Sequence, residues 1–272
     1  MARSIDTIFN QMVAQKQSSP ALASLTSSSS TAIWRLLLYV VAFCINVHER
    51  LWDTYRTEVN AAIEQMLPHR PKWYRDKALA FMRDKTLIPD TDRYDTTGMS
   101  DDDIAAAQVV KHATANENEQ SSLLIIKVAG EDTTTRKRTP VTDAEYTQLS
   151  AYLQAVKDAG VRISLVNQPA DRFRCTVDIY YDPTKDPATV QYDCDNAIRD
   201  YVENLPFNGE YSNMALIDTL QTVDGVRIAE LQSAESTPAA TSAFASINAY
   251  VVPAAGYFAV DNATLNMIAY NL

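Results

Sequence analysis

Few residues in this chain have the types and spacing that chemistry needs. Its three histidines, His48, His69 and His112, are the natural first candidates for metal ligands. A zinc site on a helix needs a second ligand three or four residues away, so that both side chains meet one ion. None of the three has such a neighbour, and His48-Glu49 lacks the second His of an HExxH pair. Asp101, Asp102 and Asp103 follow Ser100, and carboxylates in that position complement the positive end of a helix, which makes capping the expected role. Asp182 and Asp186 frame a Pro-containing turn. Aspartate favours such turns on its own account, so a paired general acid and base is not needed to explain them.

The cysteines Cys44, Cys175 and Cys194 are odd in number and include no CxxC pair. They suggest neither a disulfide framework nor a zinc knuckle, and they fit synthesis in a reducing cytoplasm. Cys194 falls on an apolar helical face without an adjacent base, which reads as an inert buried thiol. Arg136-Lys137-Arg138 is the most concentrated basic cluster, set in a Thr-rich stretch. It reads as a solvated loop tip, with contact to an acidic partner or nucleic acid as the alternative. With 6 glycines the chain has no GxGxxG or P-loop. The sequence therefore predicts no catalytic residue, no cofactor, no metal and no small-molecule substrate.

The formal charge of −10 argues against coating nucleic acid or anionic lipid, which requires a cationic field. At 46% hydrophobic and 21% charged residues the 272-residue chain is globular. The run from Ile33 to Val47 is strongly apolar, but it contains Arg35 and falls short of the about 20 residues a bilayer span needs. No membrane insertion is expected. The first residues, Met1 to Val13, lack the long apolar core of a signal peptide, so export by that route is not expected either.

The elements that would position any site begin with Ile5, Ile8, Phe9, Met12 and Val13, whose spacing predicts a short amphipathic helix. A Ser-rich link leads to a long helix over 31–67 with Ser30 or Thr31 as cap, uninterrupted by Pro or Gly until Pro68. Within it Trp34, Leu38, Val41, Ile45, His48, Trp52, Tyr55, Val59, Ala62 and Met66 alternate steps of four and three. That repeat holds one seam against a partner helix, as in a coiled coil. His48 would set the register of the seam, or act as a pH switch within it. Leu36, Leu37, Val40, Phe43 and Cys44 lie off the seam and would stay wet unless more than one neighbour covers them.

Prolines 68, 71 and 89 bracket a shorter helix, and a polar link places a boundary near residue 95. This gives a helical assembly region over 1–95 and an α+β domain over 96–272, with room for two subdomains dividing near 170. In that domain the pattern predicts helices over 101–115, 143–159, from 187 and over 212–221. Thr142 with Glu145 forms a capping box, Gly160 fits a helix C′ position, and Asp186-Pro187 opens a helix. Strands are expected over 122–129, 161–167, 172–181 and 226–231, then a C-terminal β-hairpin pairing 247–252 with 257–270 and broken near Asp261-Asn262. The fold class is α+β, with the long-helix region followed by a ferredoxin-like sandwich.

Two stretches then carry a resemblance. Ile33-Trp34-Arg35-Leu36-Leu37-Leu38-Tyr39-Val40-Val41-Ala42-Phe43 with Pro68-His69-Arg70-Pro71-Lys72-Trp73-Tyr74 resembles the start of baseplate J-like tail proteins of phages and prophages of Bacteroidetes-type hosts. The run Ile179-Tyr180-Tyr181-Asp182-Pro183, then Leu205-Pro206-Phe207-Asn208-Gly209-Glu210-Tyr211, then Ala215-Leu216-Ile217-Asp218 through Gly225-Val226, is similar to the family's C-terminal α+β domain. The resemblance implies a baseplate wedge component with no catalytic residues. Such a protein would bundle helices with copies of itself and other baseplate proteins in a ring around the tail hub, and would be located in the virion. Many members are larger and carry further domains. Two other readings remain: a peripheral host-surface or membrane-binding module, supported by the apolar first half of the long helix, and a small-molecule enzyme, which the scattered histidines and scarce glycine weigh against.

Overall fold

The computed structural model describes residues 2–66, 68–118 and 122–271, the side chains of 61 and 64–66 excepted. It is a mixed α+β structure, and its contacts separate two compact units, Met1–Pro68 and His69–Leu272.

The first unit holds α1 (Ile5–Gln17), a 3-10 turn (Pro20–Leu22) and the long helix α2 (Ile33–Met66). Ser4 caps α1 by accepting from the Thr7 N–H. α2 begins two residues later than Thr31, because the first carbonyl to accept within it is that of Ala32. The expected end at Leu67 lies outside the described residues. At about 1.5 Å per residue the helix runs for roughly 50 Å.

The second unit starts with α3 (Pro71–Ala80), opened by Pro71, whose missing N–H costs nothing in a first turn. The expected boundary near residue 95 is not where contacts thin. Tyr74, Ala78 and Phe81 are buried with Leu124, Ile126, Leu149 and Leu153, so the segment after Pro68 belongs to the α+β core. α4 (Asp101–Ala107) carries a capping box between Ser100 and Asp103, but it ends before residue 115. From His112 to Asn118 the chain is strand β1, paired antiparallel with β2 (Leu123–Glu131). Local helix preference in the Ala-rich stretch yields there to the β2 ladder, in which Ala115 faces the core opposite Ile126. The short β3 (Arg138–Thr139) also pairs with β2, as does β4 (Arg162–Val166) in parallel, after α5 (Asp143–Val156). The Thr142 and Glu145 capping box forms as the spacing predicts. Gly160 does have positive φ, yet it sits in the turn closed by Val161 N–H to Asp158 C=O, because α5 ends with extended backbone at Lys157.

A second sheet has the order β10 (Phe258–Ala269), β5 (Asp171–Tyr181), β7 (Val226–Thr237), β8 (Ala245–Ser246). β5 lies at its centre between β7, antiparallel, and β10, parallel. β8 pairs with the end of β7, and β6 (Tyr211–Ser212) pairs with β9 (Tyr250–Val251). The predicted C-terminal hairpin is therefore absent: its two halves pair with β6 and β5 instead of with each other. The irregularity expected near Asp261 is present as a register shift between Val260 and Asn262. Helices α6 (Pro187–Glu203) and α7 (Asn213–Gln221) cover one face of this sheet and bury Val190, Cys194, Ile198, Val202, Leu216 and Leu220 against Phe173, Val177 and Ile179. Asp186 caps α6 through the Thr189 N–H. Among the described residues the strands thus form two four-stranded sheets and the two-stranded β6-β9 pair, where the element order had suggested one sandwich.

The turn Phe207-Asn208-Gly209 and the loop before β10 join the two sheets. Lys127 on β2 donates to Asn208 Oδ1 (2.8 Å) and Pro253 C=O (2.6 Å). Ala129 packs with Ala255 and Tyr257, and Asp171, 4% exposed, accepts from the N–H groups of Ala254 and Ala255. Burial pushes the Asp171 carboxyl up and the Lys127 amine down. Gly256 has φ +95°, and a Cβ there would lie 2.8 Å from the Phe207 ring.

Candidate assembly surface

The residues with catalytic or ligating chemistry are not brought together. His48 lies exposed on α2, where its Nε2 accepts from Trp52 Nε1 at 2.9 Å. His69 stacks on Trp73 with ring centroids 3.9 Å apart, and its Nδ1 lies 2.8 Å from Asp158. His112 is on β1, not on a helix, 3.0 Å from Glu131 and stacked against Phe207; burial and the nearby Arg138 hold its pKa below the usual range. Among the described residues no group of His, Cys, Asp and Glu is placed to hold a metal. Asp182 accepts from Thr184 and Arg227, which lower its pKa to about 2. Asp103 completes the α4 cap. Cys175 and Cys194 are buried and their thiols are pushed up to about 12 and about 11, while Cys44 is exposed.

The basic cluster is partly consumed. Lys137 pairs with Glu203 (2.7 Å) and Arg138 donates to Leu205 C=O (2.8 Å), while Arg136 stays at the exposed tip. These residues edge a polar cleft of about 630 Å³ shared with Glu131 and Arg199. Each of its cations already has an acid or carbonyl nearby.

The unusual surface is on the first unit. α1 runs antiparallel along α2: Arg3 bonds Glu49 (Nε to Oε1, 2.9 Å), Asn46 Nδ2 donates to Arg3 C=O, and at the other end Lys16 lies 5.0 Å from the Trp34 ring. Ile8 and Ala42 are buried at the contact, with Phe9 edge-on to Tyr39 at 6.3 Å. The predicted seam is split by this arrangement. Leu38 and Ile45 are half-buried on the α1 side, as is Trp34, whereas Val41 (44% exposed), Trp52 (58%) and Tyr55 (57%) face away with His48. Val59 is half-buried, Ala62 is exposed, and the Met66 side chain lies outside the described ones.

Ile33, Leu36, Leu37, Val40, Phe43, Val47 and Leu51 are exposed as well. At about 100° per residue these and the open seam positions span an arc of roughly 200° on the helix opposite α1. Ordinary surface helices bury an apolar stripe of about 100° and expose polar residues elsewhere. The heptad spacing of α2 does not reveal α1 as its internal partner, although the Ile5, Ile8, Phe9 and Met12 face is the signal that could have. Among the described residues no helix is long and apolar enough to cross a membrane. Such an arc can shed water only by packing against other helices or another apolar phase. In comparison with known proteins, the chain matches no family model and no curated sequence.

Proposed function

We propose that this chain is a non-enzymatic structural subunit of a phage tail baseplate wedge, or of a related contractile injection machine, and that it assembles with copies of itself and other baseplate proteins by bundling α2. The open arc of α2 carries this reading. Phe43, Trp52 and Tyr55 are each about half exposed, and aromatic side chains bury about 150–250 Å² apiece, so these three alone offer on the order of 300 Å² per chain. With the aliphatic residues the total for two copies approaches the roughly 1,200–2,000 Å² of a stable interface. An arc of about twice the usual width calls for at least two neighbouring helices, hence a bundle and not a simple pair. In this arrangement the α+β unit meets adjoining subunits around the hub. The chain is made in the host cytoplasm and ends in the virion.

The test replaces Val41 and Trp52 by Asp. Both are exposed and away from α1, so unit folding is retained, while each carboxylate would have to enter the bundle unpaired at a cost of several kcal/mol. Light scattering, alone and with neighbouring tail proteins, should show wild-type assemblies and a clearly smaller mass for the variant. Unchanged mass would remove α2 as the assembly element. Flotation of the monomeric wild type with lipid vesicles would instead favour the membrane-surface reading.

A further inference from the structure

β10 is 12 residues long and ends the order of the second sheet. Typical strands have about 5–6 residues, and natural edges that must not pair are shortened or carry Lys, Pro or inward charges. β10 carries its irregularity and its one charged residue together at Asp261, near its start, and over Asn262–Ala269 it is regular, uncharged and free of Pro. The β7 edge, by contrast, has Arg227, Glu230 and Glu235, and is partly covered by β8.

We infer that β10 is a second assembly edge, which pairs antiparallel with β10 of another copy about a two-fold axis at Leu265 and fuses two sheets into one. The register about that axis is self-complementary. Leu265 meets its own copy, and Ala263 meets Met267, small against large, on the face where these side chains pack on the helix-covered core. Thr264 meets Asn266, hydroxyl against amide, on the exposed face. Asp261 meets Ala269, so no like charges face each other. That neutrality selects a second copy as the occupant, because a chain of formal charge −10 can approach itself closely only where its surface carries almost no charge. A two-fold contact of this kind joins identical patches and is independent of the α2 bundle.

Two double variants test the register. Thr264→Lys with Asn266→Lys sets lysine against lysine across the axis, whereas Thr264→Glu with Asn266→Lys sets opposite charges there. Both positions are exposed, and the Asn266→Lys side chain would keep a partner in Asp178, to which Asn266 now donates at 2.7 Å. In the 272-residue chain carrying Val41→Asp and Trp52→Asp, sedimentation should show a dimer. The lysine pair should convert it to monomer, and the Glu/Lys pair should restore it. With α2 intact, hydrogen exchange of the outward β10 amides should be about tenfold faster in the lysine variant than in wild type. Equal masses for the two charge variants, or equal exchange, would overturn the edge pairing. If Val41→Asp with Trp52→Asp leaves the wild-type mass unchanged while the lysine pair lowers it, the α2 reading fails and the edge stands; a monomer before any edge change gives the reverse.

Discussion

The two units solve the hydrophobic problem in opposite ways. The second encloses its apolar residues: Phe173, Val177, Ile179, Ile198, Leu216 and Leu220 are fully buried between sheet and helices. The first has Ile8 and Ala42 at one contact and leaves Leu51, Trp52 and Tyr55 more than half exposed on a longer helix. Helical periodicity is present in both. Only the number of partners within the chain differs, so amphipathic pattern alone does not say whether a helix completes a core or waits for one.

Core truncation should separate the units most sharply. Phe173→Ala removes a ring wedged between Tyr211 (4.8 Å) and Phe258 (6.2 Å) and should cost about 3–5 kcal/mol in denaturant unfolding. Leu51→Ala, at a residue 64% exposed, should change the isolated chain's stability by less than about 0.5 kcal/mol while weakening its self-association. Equal costs would erase the contrast. Gly256→Ala comes next: positive φ and the 2.8 Å approach to Phe207 put its cost at about 1–3 kcal/mol, read as a lower melting temperature of the second unit alone. Thr142→Ala removes one half of the α5 capping box and should cost about 1 kcal/mol. The smallest effect concerns pH. The folded His112 pKa is depressed, so its contribution to stability is complete above the unfolded value of about 6.5 and is lost as pH falls through that value toward the folded one. His112→Gln should therefore flatten the slope of stability against pH just below about 6.5, and a slope identical to wild type would show that the imidazole stays free to protonate.

Features set by neighbours in sequence are legible from the residues alone. Ser100 with Asp103, Thr142 with Glu145, and Asp186 with Pro187 act within one helical turn, and each appears where its spacing places it. Features set by distant pairing are not. β1 looks helical because Ala105 to Ala107 favours helix and only the β2 ladder reveals the strand; β10 looks like a hairpin arm because its true partner, β5, lies some 90 residues earlier. Strands of two residues, such as β3 and β6, are too short to show a period. On α2 the repeat is visible, but its division between α1 and an open side is not, since a seam records that partners exist without naming them.

The Lys127 seat also bears on the order in which the polypeptide acquires its shape. Its acceptors lie 81 and 126 residues downstream, on Asn208 and Pro253. While the chain is being synthesised, β1, β2 and β4 can pair and receive α3 and α5, but the underside at Lys127 and Ala129 stays hydrated until the residues around Ala255 have left the ribosome. β5 likewise waits for β10. The second sheet is therefore completed by parallel, non-local contacts, the slowest kind to close. Throughout that interval β5 keeps an unpaired edge, the kind of surface on which incomplete chains associate wrongly.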